Sequence, residues 1–201
     1  AGVEPCLIVT LDPSEACGPM IEGSVGRDTF VATPPWSHHD TLFQAYNGRP
    51  ILYSLYTSKK DSFMDRFNRK YGMVRFAAAG TVGTAAFSLC AFMGCDPIIF
   101  SGLDLSFRSG EEVPAGKEPL LLPDGRVTIM EFHASRMWYE RMRRELPIPS
   151  RAFQTSPHMP LEGYDNVDFV SAAKEAKSRW EGRRIPSAAW AMKKVWRKWK
   201  G

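Results

Sequence analysis

Three observations predict an α/β fold built on a mostly parallel sheet with helices on both faces. Short apolar strand candidates alternate with helix candidates along the first half of the chain. Ile98-Ile99-Phe100 has the length and β-branched content of a strand buried on both faces, as parallel sheets require. A glycine-bearing loop, Gly80-Thr-Val-Gly83, runs straight into a helix that is apolar nearly all round. Together they describe a Rossmann-like arrangement, to which the sequence adds C-terminal helices.

The elements follow in order. Cys6 to Leu11 is an apolar strand closed by Asp12-Pro13, and a glycine-rich loop leads to a second strand over Thr29 to Thr33. Asp40 to Tyr46 is helical, Ile51 to Tyr56 is a strand, and Asp61 to Lys70 is an amphipathic helix. After the glycine loop comes the helix Thr84 to Met93, which Pro97 cannot continue, and then the strand at Ile98. Ser106 to Arg126 has little periodic pattern, and a segment of that length in a compact domain suits either an active-site lid or a surface insertion. A helix over Met130 to Leu146, a strand over Arg151 to Gln154, and helices over Val167 to Trp180 and Pro186 to Lys200 complete the chain. The expected division is a domain over 1–168 and a helical extension over 169–201.

Composition bounds the function. The chain has 201 residues, 44% hydrophobic and 24% charged, as a soluble globular domain has. The net charge of +4 is concentrated in the last residues, so no nucleic-acid-binding surface is expected. Cys6, Cys17, Cys90 and Cys95 show no metal-binding spacing, and free thiols in a reducing cytoplasm are expected. The longest apolar run is broken by Asp96-Pro97, so no membrane span is expected, and the opening residues lack the charged-then-apolar pattern expected of a signal peptide.

The chemistry concentrates around residue 80. A helix begins with unpaired N–H groups and the positive end of its dipole, so Gly80, Thr81, Val82 and Gly83 suit a phosphate or carboxylate. A tight turn with close helix–strand packing explains the same glycines. Asp104 follows Gly102 at the carboxyl end of the Ile98 strand, where open α/β sheets bind their ligands. Arg75 suits a bidentate contact to an anion, although a surface arginine without such a role is commoner. Asp12 stands at another strand end, as a site residue or a cap. With Asp104 it would offer oxygen ligands to a hard cation such as Mg²⁺. A zinc site is not expected at His38-His39, which lack further ligands spaced beside them.

Gly80-Thr-Val-Gly-Thr-Ala and Ile99-Phe-Ser-Gly-Leu-Asp-Leu-Ser-Phe107 resemble the central domain of the Maf flagellin glycosyltransferases and of the MptE-like 6-hydroxymethylpterin diphosphokinases. The opening Gly2-Val-Glu-Pro-Cys with Thr10-Leu-Asp-Pro13 is similar to a turn and strand of that family, and Ser37-His-His-Asp40 falls where its members carry Ser-x-His-Pro. The resemblance covers roughly residues 1–170. That domain is similar in turn to bacterial sialyltransferases that use CMP-activated nonulosonic acids. By this resemblance Ser101-Gly-Leu-Asp-Leu105 is the strand end, 106–126 the mobile lid, and His133 the general base, a histidine being suited to proton exchange near neutral pH. His38, His39 and Ser106 would serve the acceptor or the lid. The chain departs from the pattern in three ways. The family's first strand and Gly-Pro-Ser-Leu loop, which would precede residue 1, are missing; Ser106 replaces a tyrosine; and the lid histidine is absent from Val113-Pro-Ala-Gly116.

The resemblance implies a nucleotide-sugar-dependent glycosyltransferase, with a CMP-nonulosonic acid as donor and flagellin or a cell-surface glycan as acceptor. Two alternatives stay open. One is a pterin diphosphokinase using ATP and Mg²⁺, and the other a non-catalytic nucleotide-binding or interaction domain. A cytoplasmic location is expected. The final helix carries Met192, Trp196 and Trp199 opposite lysines and arginine, which suits either peripheral contact with an anionic membrane or packing on the domain.

Overall fold

The computed structural model describes residues 5–56, 61–108, 110–145, 151–155 and 158–180. The helix expected over Pro186 to Lys200 lies outside them. The chain divides into two compact units, 1–78 and 79–201.

In the first unit, β1 (Leu7–Val9), β2 (Phe30–Thr33) and β3 (Arg49–Leu52) form a parallel sheet in that order. Two further short strands, β4 (Ser54–Leu55) and β5 (Arg75–Phe76), pair in parallel. The expected strand over Ile51 to Tyr56 is therefore two, divided at the buried Tyr53. The glycine-rich loop after β1 contains the short helix α1 (Cys17–Ile21) and a 3-10 turn. Gly18 is needed there because a Cβ would lie 2.7 Å from Cβ of Asp40 on α2 (His39–Asn47). Helix α3 (Phe63–Tyr71) opens on Ser62, whose hydroxyl accepts the Asp65 amide at 3.1 Å, and closes on Gly72 at φ +60°. Buried hydroxyls line the carboxyl ends of the first two strands. Thr10 Oγ1 donates to Thr33 Oγ1 at 2.9 Å, Thr33 and Ser37 share a 2.8 Å bond, and Tyr53 Oη donates to the Thr10 carbonyl at 2.5 Å.

In the second unit, the parallel sheet runs β10 (Asp165–Asn166), β9 (Ala152–Gln154), β6 (Ile98–Phe100). It belongs with the helices α4 (Val82–Met93), α5 (Met130–Glu145) and α6 (Phe169–Trp180). The core is aromatic: Phe87, Phe100, Tyr139 and Tyr164 meet edge to face or tilted, with ring centres 5.2–6.5 Å apart. Gln154, fully buried at the end of β9, ties this core to two loops. Its amide donates to the Met159 carbonyl at 2.7 Å and its oxygen accepts the Leu161 amide at 2.8 Å.

The stretch from Ser106 to Arg126 is more ordered than its lack of pattern suggests. β7 (Pro119–Leu121) and β8 (Val127–Ile129) form an antiparallel hairpin, and the Phe107 amide donates to the Val127 carbonyl at 2.8 Å. The Phe107 ring stacks on Phe132 of α5, and Lys117 pairs with Glu131. Every other strand pair among the described residues is parallel, so the fold is the α/β, Rossmann-like class expected.

Two outcomes follow from burial. Gln154→Leu leaves the Met159 carbonyl and Leu161 amide buried and unpaired, and is expected to cost about 1–3 kcal/mol for each group in denaturant unfolding. Burial also pushes the Tyr53, Tyr139 and Tyr164 hydroxyls well above the ordinary tyrosine value of 10. Because the folded values are raised, this stability is intact below the unfolded value and is lost as pH climbs toward the folded ones. Urea midpoints should fall above about pH 10, and tyrosinate absorbance from these three should appear only as the chain unfolds.

Candidate functional site

The glycine loop is shaped by its own hydroxyls and by α5. Gly80 has φ +84°, a conformation that favours glycine. Thr84 Oγ1 accepts the Ala79 amide at 2.9 Å and donates to the Thr81 carbonyl at 2.6 Å, closing the loop on the first turn of α4. The one hydroxyl proton of Ser135 on α5 is shared between the Glu131 carbonyl of its own helix at 2.8 Å and the Ala79 carbonyl at 3.1 Å, and its oxygen lies 3.2 Å from Thr81 Oγ1. Thr81 is the N-cap of α4, yet its side chain makes no capping bond. Among the described residues the first-turn amides of Val82 and Gly83 have no acceptor, at the positive end of a twelve-residue helix.

Gly83 lets α5 approach closely. A Cβ there would stand 2.8 Å from Tyr139 Oη and 3.7 Å from Leu103 Cδ1. The segment after β6 is thereby brought against the start of α4. In that segment two left-handed residues, Gly102 at φ +71° and Leu105 at φ +52°, bracket the half-buried Asp104. A buried non-glycine residue in this region carries backbone strain, which persists where the surroundings over-determine it. They do so here: Thr128 Oγ1 donates to the Leu105 carbonyl at 2.8 Å, and Ser106, itself buried, donates to the Asp104 carbonyl at 3.3 Å.

The structure therefore gathers Gly80, Thr81, Val82, Gly83, Gly102, Asp104 and Ser106 in the second unit. His133 belongs to the same unit but to another side of α5. It precedes Ser135 by two residues, which at roughly 100° per residue places it roughly 160° round the helix from the loop-binding serine. It shares that side with Arg136 and Glu140, which pair at 3.0 Å, and its buried Nδ1 has no hydrogen-bond partner among the described residues. An open depression of about 280 Å³ lined by Glu140, Arg143, Arg144, Glu162 and Gly163 contains none of the predicted site residues.

The remaining predicted residues belong to the first unit. Arg75 lies on β5 and meets Asp65 at 3.4 Å. Asp12 is exposed and accepts the Ser14 amide at 2.8 Å, the geometry of a turn cap. His38 is the N-cap of α2, where its Nδ1 accepts the Asp40 amide at 3.4 Å, and its ring lies 4.0 Å from that of His39.

Among the described residues, one group of three places metal-ligating atoms within 4.8 Å of one another: His38, His39 and Asp40. Asp40 thus supplies beside the two histidines a third donor that their sequence spacing did not suggest. Two imidazoles and one carboxylate are the donor set of a transition metal, whereas Mg²⁺ wants clustered oxygens. The group does not fit Mg²⁺.

Sequence reasoning missed Ser135 and Tyr139. Their i, i+4 spacing on α5 was visible, and a serine on an otherwise large-residue face is the signal of a close contact.

The fold is a parallel α/β arrangement with an open helix terminus and a carboxylate at a strand end. The family model described as "6-hydroxymethylpterin diphosphokinase MptE-like" matches residues 1–110, more than half of the chain, and the chain belongs to this family. The match includes the glycine loop and Asp104 and ends before α5. No curated protein and no solved structure matches the chain. No helix among the described residues is long and apolar enough to cross a membrane.

Gly83→Ala is expected to destabilise the chain by about 1–3 kcal/mol, because the rigid Tyr139 ring cannot yield the space. Tyr139→Phe, which removes a buried hydroxyl with no hydrogen-bond partner among the described residues, should be neutral or stabilising. In the double variant the penalty of Gly83→Ala should shrink, and a double-mutant cycle from urea unfolding measures the coupling.

Proposed function

We propose that this chain is a transferase that holds the phosphate of a nucleotide-activated substrate on the Gly80–Gly83 loop. The observation that carries this reading is the pair of open amides, Val82 and Gly83, at the uncapped start of α4. Oriented N–H groups stabilise negative charge developing on a leaving phosphate without a metal. Asp104, which follows the Leu103 that meets the start of α4, would accept a hydrogen bond from a ribose or sugar hydroxyl.

The favoured reaction is glycosyl transfer. In it an acceptor hydroxyl attacks the anomeric carbon, the bond to the nucleotide phosphate breaks, and the hydroxyl proton passes to a base. The CMP-nonulosonic acid donor and the flagellin or cell-surface acceptor follow from the Maf and sialyltransferase resemblance. His133 is not needed for the binding half of this proposal, since α5 turns it away from the loop. The second reading, diphosphoryl transfer from ATP to a pterin, is favoured by the description of the matched family. It calls for Mg²⁺, which one or two carboxylates would hold together with the substrate phosphates.

A thermal-shift panel of CMP, CDP, UDP, GDP and ATP, each with and without Mg²⁺, separates these readings. A ligand at a hundred times its Kd adds about 2.7 kcal/mol to the native state. The favoured reading expects a shift with CMP that needs no metal; an ATP shift requiring Mg²⁺ supports the diphosphokinase, and no shift with any nucleotide removes both. Asp104→Ala should weaken CMP binding about tenfold or more, equivalent to about 1.4 kcal/mol, with the chain still folded by circular dichroism. Unchanged affinity removes Asp104 from the site.

A further inference from the structure

The other end of α4 carries a pair of thiols. Gly94, at φ +78°, donates its amide to the Ala91 carbonyl at 3.1 Å, and the Cys95 amide donates to the Cys90 carbonyl at 3.0 Å. These two bonds define a helix end in which the residue after the left-handed glycine folds back on the residue five earlier, usually with an apolar side-chain contact between them. Here the contact is made by two cysteines. Standard bond lengths and the 3.0 Å bond limit their Cα separation to about 7 Å, close to the roughly 4.4–6.8 Å that a disulfide spans.

Each is half-buried against the aromatic core, and the acidity of each thiol is set chiefly by the other. The neighbouring Cys90 thiol draws the Cys95 thiol down to about 7, while Cys95 and burial push the Cys90 thiol up. Cys6 is exposed and Cys17 buried, and neither has a thiol partner of this kind among the described residues.

We propose that Cys90 and Cys95 are a redox-active dithiol, a modification site whose substrate class is small-molecule disulfides of the glutathione type. The Cys95 thiolate attacks one sulfur of the disulfide, whose S–S bond breaks; the departing sulfur keeps the electron pair and takes up a proton. The Cys90 sulfur, giving up its own proton, then attacks the Cys95 sulfur and releases the second small thiol. Two protein thiols are oxidised to one disulfide, and one small disulfide is reduced to two thiols. The attacking group is Cys95 because a thiolate present near neutral pH is the nucleophile. The product closes a six-residue loop across the end of α4 and the approach to β6.

The test uses the full chain, equilibrated in glutathione buffers from fully reduced to fully oxidised, acid-quenched, alkylated and digested with trypsin. Peptide 76–108 contains both cysteines and no other. The proposal expects it to pass from two alkyl adducts to none, lighter by two hydrogens and without lasting glutathione. Cys90→Ser should trap glutathione on Cys95, and Cys95→Ser should leave Cys90 open to alkylation. Two adducts at the most oxidising ratio, or a lasting glutathione adduct on the native chain, would overturn it.

Discussion

The second unit is organised around a space that Gly83 leaves empty and the Tyr139 hydroxyl fills. Because no Cβ intervenes, α5 packs close to the first turn of α4, and Ser135, one turn before Tyr139, reaches the glycine loop with its hydroxyl. The loop is thus held from outside by α5 and from inside by Thr84. Neither restraint uses the amides of Val82 and Gly83. On the proposed function, a helix end shaped in this way would meet its anion already ordered, so less of the binding free energy would be spent on ordering the loop.

The same close packing brings in the segment after β6. Leu103 meets the start of α4, and the next residue is Asp104, set between two left-handed residues. Strain at Leu105 is offset by burial of its side chain and by the Thr128 bond to its carbonyl. Positive dipole and carboxylate therefore sit on neighbouring backbone segments. That arrangement suits a ligand with both a phosphate and a hydroxylated ring, such as a nucleotide.

Much of this was legible in the residues. Ile98-Ile99-Phe100 and the apolar α4 announce themselves because elements buried on all sides are apolar on all sides. Asp104 was legible as a strand end, since Gly102 stops the run. Three features were hidden for physical reasons. The hairpin β7–β8 has three-residue strands and begins on a proline, too short for a period to register. Helix α1 contains a glycine and a proline, and Gly18 is there because the helix passes close to α2, so a packing requirement masks its propensity. The loop-binding face of α5 depends on one small residue, and a family pattern that draws attention to His133 draws it to the other side of the same helix.

The central claim is that the Val82 and Gly83 amides receive a phosphate. The most direct test is a proton–nitrogen NMR titration of the labelled chain with CMP, following backbone amides. The account predicts the largest shifts at Val82 and Gly83, with smaller ones at Thr81 and Asp104 and none along the far end of α4. Saturable CMP binding that leaves the Val82 and Gly83 amides unmoved would contradict it.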